Sequence, residues 1–115
     1  MNRCLITFVL LIATAGMALA HAVLVEATPP ANGIVSGPEV VFRLRFNSRI
    51  DGARSVVNLV LPDGTSRTLP PTQQPAPEIL SLKADGMKTG HYVLRWQVLS
   101  ADGHITRGEV PFEVR

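Results

Sequence analysis

In the stretch VFRLRF, residues 41–46, Phe42, Leu44 and Phe46 alternate with Arg43 and Arg45. Successive side chains on a strand point to opposite faces, so a period of two marks a strand buried on one side. The same period returns in HYVLRWQVLS, where Tyr92, Leu94, Trp96 and Val98 share one face against Arg95 and Gln97. EVPFEVR repeats it with Val110, Phe112 and Val114 inward. Pro111 has no N–H to give a ladder, so this last strand is expected to have a free edge or a bulge there. VVNLVLPDGTSRTL places two apolar runs around Pro62-Asp63-Gly64, a hairpin signal. TPPANG, SGPE, PPTQQPAP and KADGMKTG are turn or loop clusters between the runs. No segment beyond residue 20 has a convincing helical period. Short strands at such spacing indicate an all-β domain, an antiparallel sandwich or Greek-key barrel.

Residues 1–20 read as an export signal. Arg3 is a short positive head, CLITFVLLIATAGMALA is an unbroken apolar run, and Ala18-Leu19-Ala20 is the small-x-small pattern of a cleavage site. The competing reading is a retained anchor, but the run is at the short limit for crossing a bilayer and lacks a positive flank after it. Cleavage after Ala20 leaves residues 21–115 as one domain with no stable membrane insertion. Cys4, the only cysteine, leaves with the leader. The exported chain then has no disulfide, no thiolate metal site and no cysteine nucleophile, and must rely on its apolar core.

The eleven Lys and Arg, one of which is Arg3 of the leader, nearly balance nine Asp and Glu. Scattered charges of both signs give no electrostatic footprint for nucleic acid or an anionic membrane.

Three histidines are present, and a lone histidine is usually structural or solvated. His21 differs because cleavage makes it the first residue. A free α-amine has an ordinary pKa of about 7.7–8.0, so it deprotonates at little cost near neutral pH. Together with Nδ1 of its own imidazole it can close a six-membered chelate, an arrangement suited to Cu(II). SADGH, residues 100–104, supplies partners. Asp102 and His104 are two apart beyond a strand, and extended geometry would project them to one side. Gly103 would keep a side chain out of the way. Equally, Asp102-Gly103 is an ordinary hairpin-turn signal. His91 begins a strand on the face opposite Leu94 and Trp96 and is expected to be exposed rather than a ligand.

HAVLVEATPPANGIVSGPEVVFRLRF at one end and GHYVLRWQVLSADGHITRGEVPFEV at the other resemble the CopC-type periplasmic copper-binding proteins of copper resistance. The resemblance covers essentially the whole exported chain, and its S-x-D-G-H-x-x-x-G motif is specific. It implies a small Greek-key β fold, cupredoxin-like or immunoglobulin-like, of seven strands or a similar number. It also implies one Cu(II) per chain, held by the amine and imidazole of His21, the imidazole of His104 and the carboxylate of Asp102. Some members carry a methionine-rich loop for Cu(I). Here PDGTSRTLPPTQQPAP has no methionine and only Met87 remains after cleavage, so the chain resembles the Cu(II)-only subgroup. Other members place an acidic residue after the strand that reads RLRFNS here; Asn47 and Ser48 stand there instead.

The function expected from this is non-enzymatic Cu(II) sequestration or delivery in the periplasm, with a CopD-type inner-membrane protein as the partner the family implies. Two other readings compete. A copper oxidative enzyme would use the same histidine pair, but Asp102 would occupy the position oxygen needs. A metal-free interaction module would leave His21 and the DGH motif incidental.

Overall fold

The structure is a computed structural model that describes residues 21–70 and 74–115. The expected export signal, and with it Cys4, lies outside those residues. Among the described residues there are eight strands and no helix: β1 (Leu24–Thr28), β2 (Gly33–Val35), β3 (Val40–Phe46), β4 (Ile50–Val60), β5 (Ser66–Leu69), β6 (Ile79–Ala84), β7 (Gly90–Ser100) and β8 (Ile105–Val114). They form a β-sandwich of two sheets, ordered β1-β3-β6 and β2-β8-β7-β4-β5. The chain changes sheet after β1, β2, β3, β5 and β6, which gives the Greek-key connectivity expected of it.

The alternation seen in the sequence is what closes the sandwich. Phe42, Leu44 and Phe46 point inward from β3 and are buried, while Arg43 and Arg45 face solvent. Leu94, Trp96 and Val98 do the same from β7, and Val110, Phe112 and Val114 from β8. Tyr92 stacks on Phe112, and Phe42 meets Phe112 edge to face. Burying a large apolar side chain contributes about 1.5–3 kcal/mol, and here such burial has no disulfide beside it. Arg43, Arg45 and Arg95 are solvated, as expected.

The longest ladder joins β7 to β8, from Gly90↔Val114 to Leu99↔Ile105. Trp96 lies opposite Gly108, where any Cβ would collide with the indole. The last glycine of the S-x-D-G-H-x-x-x-G motif is therefore the gap into which the ring folds. The other side of that ring meets Phe46 edge to face at 5.2 Å.

Pro111 sits where β8 changes surroundings. Its carbonyl accepts from the Asn32 N–H at 2.7 Å, so its missing N–H faces the same flank, one residue before β2 begins to pair. From Phe112 onward β2 covers that flank in parallel; before it, no strand does. The expected free edge is thus real for β8 up to Pro111 and absent from Phe112 to Val114. The Pro62-Asp63-Gly64 turn joins β4 to β5 as expected, closed by Leu61 N–H to Thr65 O at 2.8 Å.

Truncating Phe42 to alanine should lower the unfolding free energy by about 3–5 kcal/mol, whereas Arg43→Ala should change it by under about 0.5 kcal/mol. Denaturant titration of the two variants checks this. Equal effects would mean that β3 is not divided into a buried and a solvated face.

Candidate metal centre

The β7–β8 ladder ends in a tight turn that carries the S-A-D-G-H segment. Ser100 N–H donates to His104 O at 2.8 Å and Gly103 N–H donates to Ser100 O at 3.0 Å. Gly103 has φ 87°, in the left-handed region. A Cβ there would meet nothing within 4 Å, so the backbone angle and not lack of room favours glycine. Asp102 and His104 do converge, but by a different route from the one expected. They belong to a turn, not to extended strand, and strand alternation plays no part. What joins them is the carboxylate itself. Asp102 Oδ1 accepts from His104 N–H at 3.1 Å, and Oδ2 lies 2.8 Å from His104 Nδ1. The hairpin reading and the ligand reading of Asp102-Gly103 are therefore compatible.

Ser100 completes the network. Its hydroxyl is buried and donates to Asp102 Oδ1. This hydroxyl, the His104 imidazole and the His104 N–H, in that order, hold the Asp102 carboxyl well below the usual carboxylate range. Asp102 is accordingly a carboxylate at any pH at which the protein works. No role for Ser100 was read from the sequence. The signal was present as a serine two residues before an Asp-Gly turn, where a short hydroxyl side chain readily bonds back to the turn.

His21 arrives from the other end of the chain. The ladder between β1 and β3 begins only at Leu24↔Phe46, so His21, Ala22 and Val23 run beyond it. Ala22 is nonetheless buried, at 1% exposure. The arm lays the His21 ring against that of His104, centroids 4.8 Å apart and planes at 68°. One ligand-type atom from each of His21, Asp102 and His104 lies within 4.8 Å of the others, and all three residues are solvent-accessible. Nitrogen and oxygen donors sit about 2.0–2.2 Å from a first-row dication such as zinc, so donors on opposite sides of one are roughly 4 Å apart. Donors on one ion are thus closer together than the widest of these separations, so the three side chains must draw in to share it. In this arrangement Asp102 Oδ2 and His104 Nδ1 are engaged with each other, which fixes the orientation of the imidazole.

His91 does not join them. It is exposed at the start of β7, opposite Glu113, and about 30 Å of strand separates it from Ser100. Met87 is buried in the core, with Arg67 Nη2 3.7 Å from its sulfur. Asn47, directly after β3, has its side chain engaged with the N-terminal arm: Oδ1 accepts from Val23 N–H at 2.8 Å.

A model of the CopC domain matches residues 24–115. The chain belongs to the CopC family. The match includes Asp102 and His104 and starts three residues after His21. Among curated relatives, copper resistance protein C of Xanthomonas campestris pv. juglandis is 31% identical over 108 residues, covering 85% of this chain and 83% of that protein. Protein YobA of Escherichia coli K12 is 31% identical over 99 residues, covering 84% of this chain and 80% of YobA. CopC from Methylosinus trichosporium OB3b has a solved structure with TM-score 0.76 and 33% identity, covering 82% of this chain and 93% of that one. PcoC, a methionine-rich copper resistance protein from Escherichia coli, shares the fold at TM-score 0.71 and 22% identity, covering 84% of this chain and all of PcoC.

Replacing Ser100 by alanine removes the largest of the influences that depress Asp102, so the carboxyl should titrate at higher pH than in the parent. The sign for stability follows. A depressed folded value contributes stability that is fully present above the unfolded value of about 3.9 and is lost as pH falls through the folded value. The Ser100→Ala protein should lose less on acidification, because it starts with less. Carbon-detected NMR titration of Asp102, with unfolding at pH 3 and pH 7, tests this; an unmoved carboxyl would remove Ser100 from the network.

Proposed function

We propose that this CopC-family protein binds one Cu(II) in the periplasm and sequesters it or passes it on, without catalysing a reaction. The observation that carries the reading is the meeting of His21 with Asp102 and His104 at one end of the sandwich. Residues far apart in the sequence present two imidazoles and an ionised carboxylate in one place. The reading is supported by copper resistance protein C, which is 31% identical over most of its length.

In this reading, cleavage after Ala20 exposes the α-amine of His21, and amine and Nδ1 chelate the ion together. His104 adds a third nitrogen from its imidazole, and Asp102 adds negative charge and an oxygen donor. Nitrogen donors in a tetragonal plane favour Cu(II) among the divalent first-row metals. Cu(I) favours thioethers, and the lone methionine of the domain is buried beneath a guanidinium. The recipient in this reading is a CopD-type membrane protein, as the family resemblance implies.

Protein beginning at His21 should bind one equivalent of Cu(II) with a nitrogen-rich tetragonal EPR spectrum. His104→Ala should weaken binding most among the turn residues, Asp102→Ala less, and His91→Ala not at all. Equal losses for His91→Ala and His104→Ala would show that the second imidazole has been misassigned.

A second test concerns the amine. Metal ligands must be deprotonated, so affinity should fall as pH is lowered. Acetylating His21, or leaving Ala20 attached, turns the amine into an amide with no basic lone pair. Either form should remain folded by circular dichroism and bind Cu(II) far more weakly in a competition titration. Equal affinity of blocked and free forms would exclude the amine from the site.

A further inference from the structure

The three residues before β1 lie outside any ladder, and chain ends without ties are usually poorly ordered. His21 nevertheless stands against His104 of the other sheet's hairpin. The reason lies in a single peptide group, the one linking Ala22 to Val23. Its carbonyl, Ala22 O, accepts from the Thr106 hydroxyl at 2.9 Å. Its N–H, on Val23, donates to Asn47 Oδ1 at 2.8 Å. Thr106 is on β8 in the five-stranded sheet, and Asn47 directly follows β3 in the three-stranded sheet. The plane of this peptide is therefore gripped on both sides by side chains from opposite layers. The Ala22 methyl, buried at 1% exposure, fills the space beneath it. The backbone bond from Asn47 N–H to Val23 O, 2.9 Å, fixes the next unit along.

We infer that Thr106 and Asn47 are positioning residues for His21: by holding the Ala22–Val23 peptide across the gap between the sheets, they set its amine and imidazole over His104. Three backbone torsions, φ and ψ of Ala22 and ψ of His21, separate the gripped peptide from the His21 amine. Once its plane is fixed, the remaining freedom is rotation about those few bonds. If the peptide is released, the arm swings as a free chain end, and the chelating residue must be ordered at the moment it binds.

The inference rests on the proposed role of His21 as a ligand, and the test separates the two. Thr106→Val keeps the shape and removes the donor; Thr106→Ser keeps the donor. Asn47→Ala removes the acceptor and leaves the backbone bond to Val23 O intact. In metal-free protein beginning at His21, Thr106→Val and Asn47→Ala should each speed exchange of the Val23 amide and lower the NMR order parameters of Ala22 and Val23. The midpoint of unfolding should hardly change. Cu(II) affinity should fall by about ten- to a hundredfold, as when hydrogen-bond partners behind metal ligands are removed. Thr106→Ser should recover both ordering and affinity. An arm as ordered as the parent's in Thr106→Val, with parental Cu(II) affinity, would overturn the inference. So would a Thr106→Ser protein as impaired as Thr106→Val, since packing and not the hydroxyl would then be responsible. His21→Ala marks the boundary. If it loses Cu(II) while Thr106→Val does not, the clamp fails and the ligand stands. If it binds as the parent does, both fail together.

Discussion

The pairing of β7 with β8 is the interaction on which the remainder of this molecule hangs. It puts Tyr92, Leu94, Trp96 and Val98 beside Val110, Phe112 and Val114 on one face and so builds about a third of the core. It ends in the turn that carries Asp102 and His104. It also fixes Thr106, two residues past that turn, in position to take hold of the N-terminal arm. A slip of one residue in this register would turn every apolar side chain of β8 outward. Gly108 guards against it, because only opposite a residue without a side chain can the Trp96 indole lie flat against the neighbouring strand.

Much of the fold could be read from the sequence because each long strand has one wet face and one dry one. Phe42, Leu44 and Phe46 against Arg43 and Arg45 needed no further information. Less could be read where a strand's surroundings change along its length. Pro111 signalled a free flank, but the sequence could not show that β2 would cover β8 one residue later, because that contact is between segments far apart in the chain.

The candidate site was legible as a set of residue types and not as a geometry. His21, Asp102 and His104 stood out only together, as a chelating histidine with partners in the S-x-D-G-H-x-x-x-G motif. Their convergence by a turn stabilised by Asp102 itself was not visible, since strand spacing offered a simpler and mistaken route. Asn47 and Thr106 carried no signal of their own, and Ser100 only that of a hydroxyl two residues before an Asp-Gly turn. Small polar residues at strand ends are ordinary, and their partners at Asp102, Val23 and Ala22 are set by tertiary folding. Asn47 had drawn notice only for the carboxylate it lacks, whereas in the structure its amide oxygen is already engaged.

The arm that crosses from one sheet to the other has a consequence for how the domain comes apart. Ala22 and Thr106 are 84 residues apart in sequence, so their hydrogen bond already closes a loop of nearly the whole domain. An ion joining His21 to the β7–β8 turn would close the same loop far more firmly. A cross-link of that span removes on the order of 4–5 kcal/mol of chain entropy from the unfolded state, in the account usually given for disulfides. Residues 21–115 contain no cysteine with which to tie the two sheets, and His21 and the last hairpin occupy the place where such a tie would act. Metal loading in this geometry would be a reversible staple, fastening the sandwich while the ion is held and releasing it when the ion is handed on.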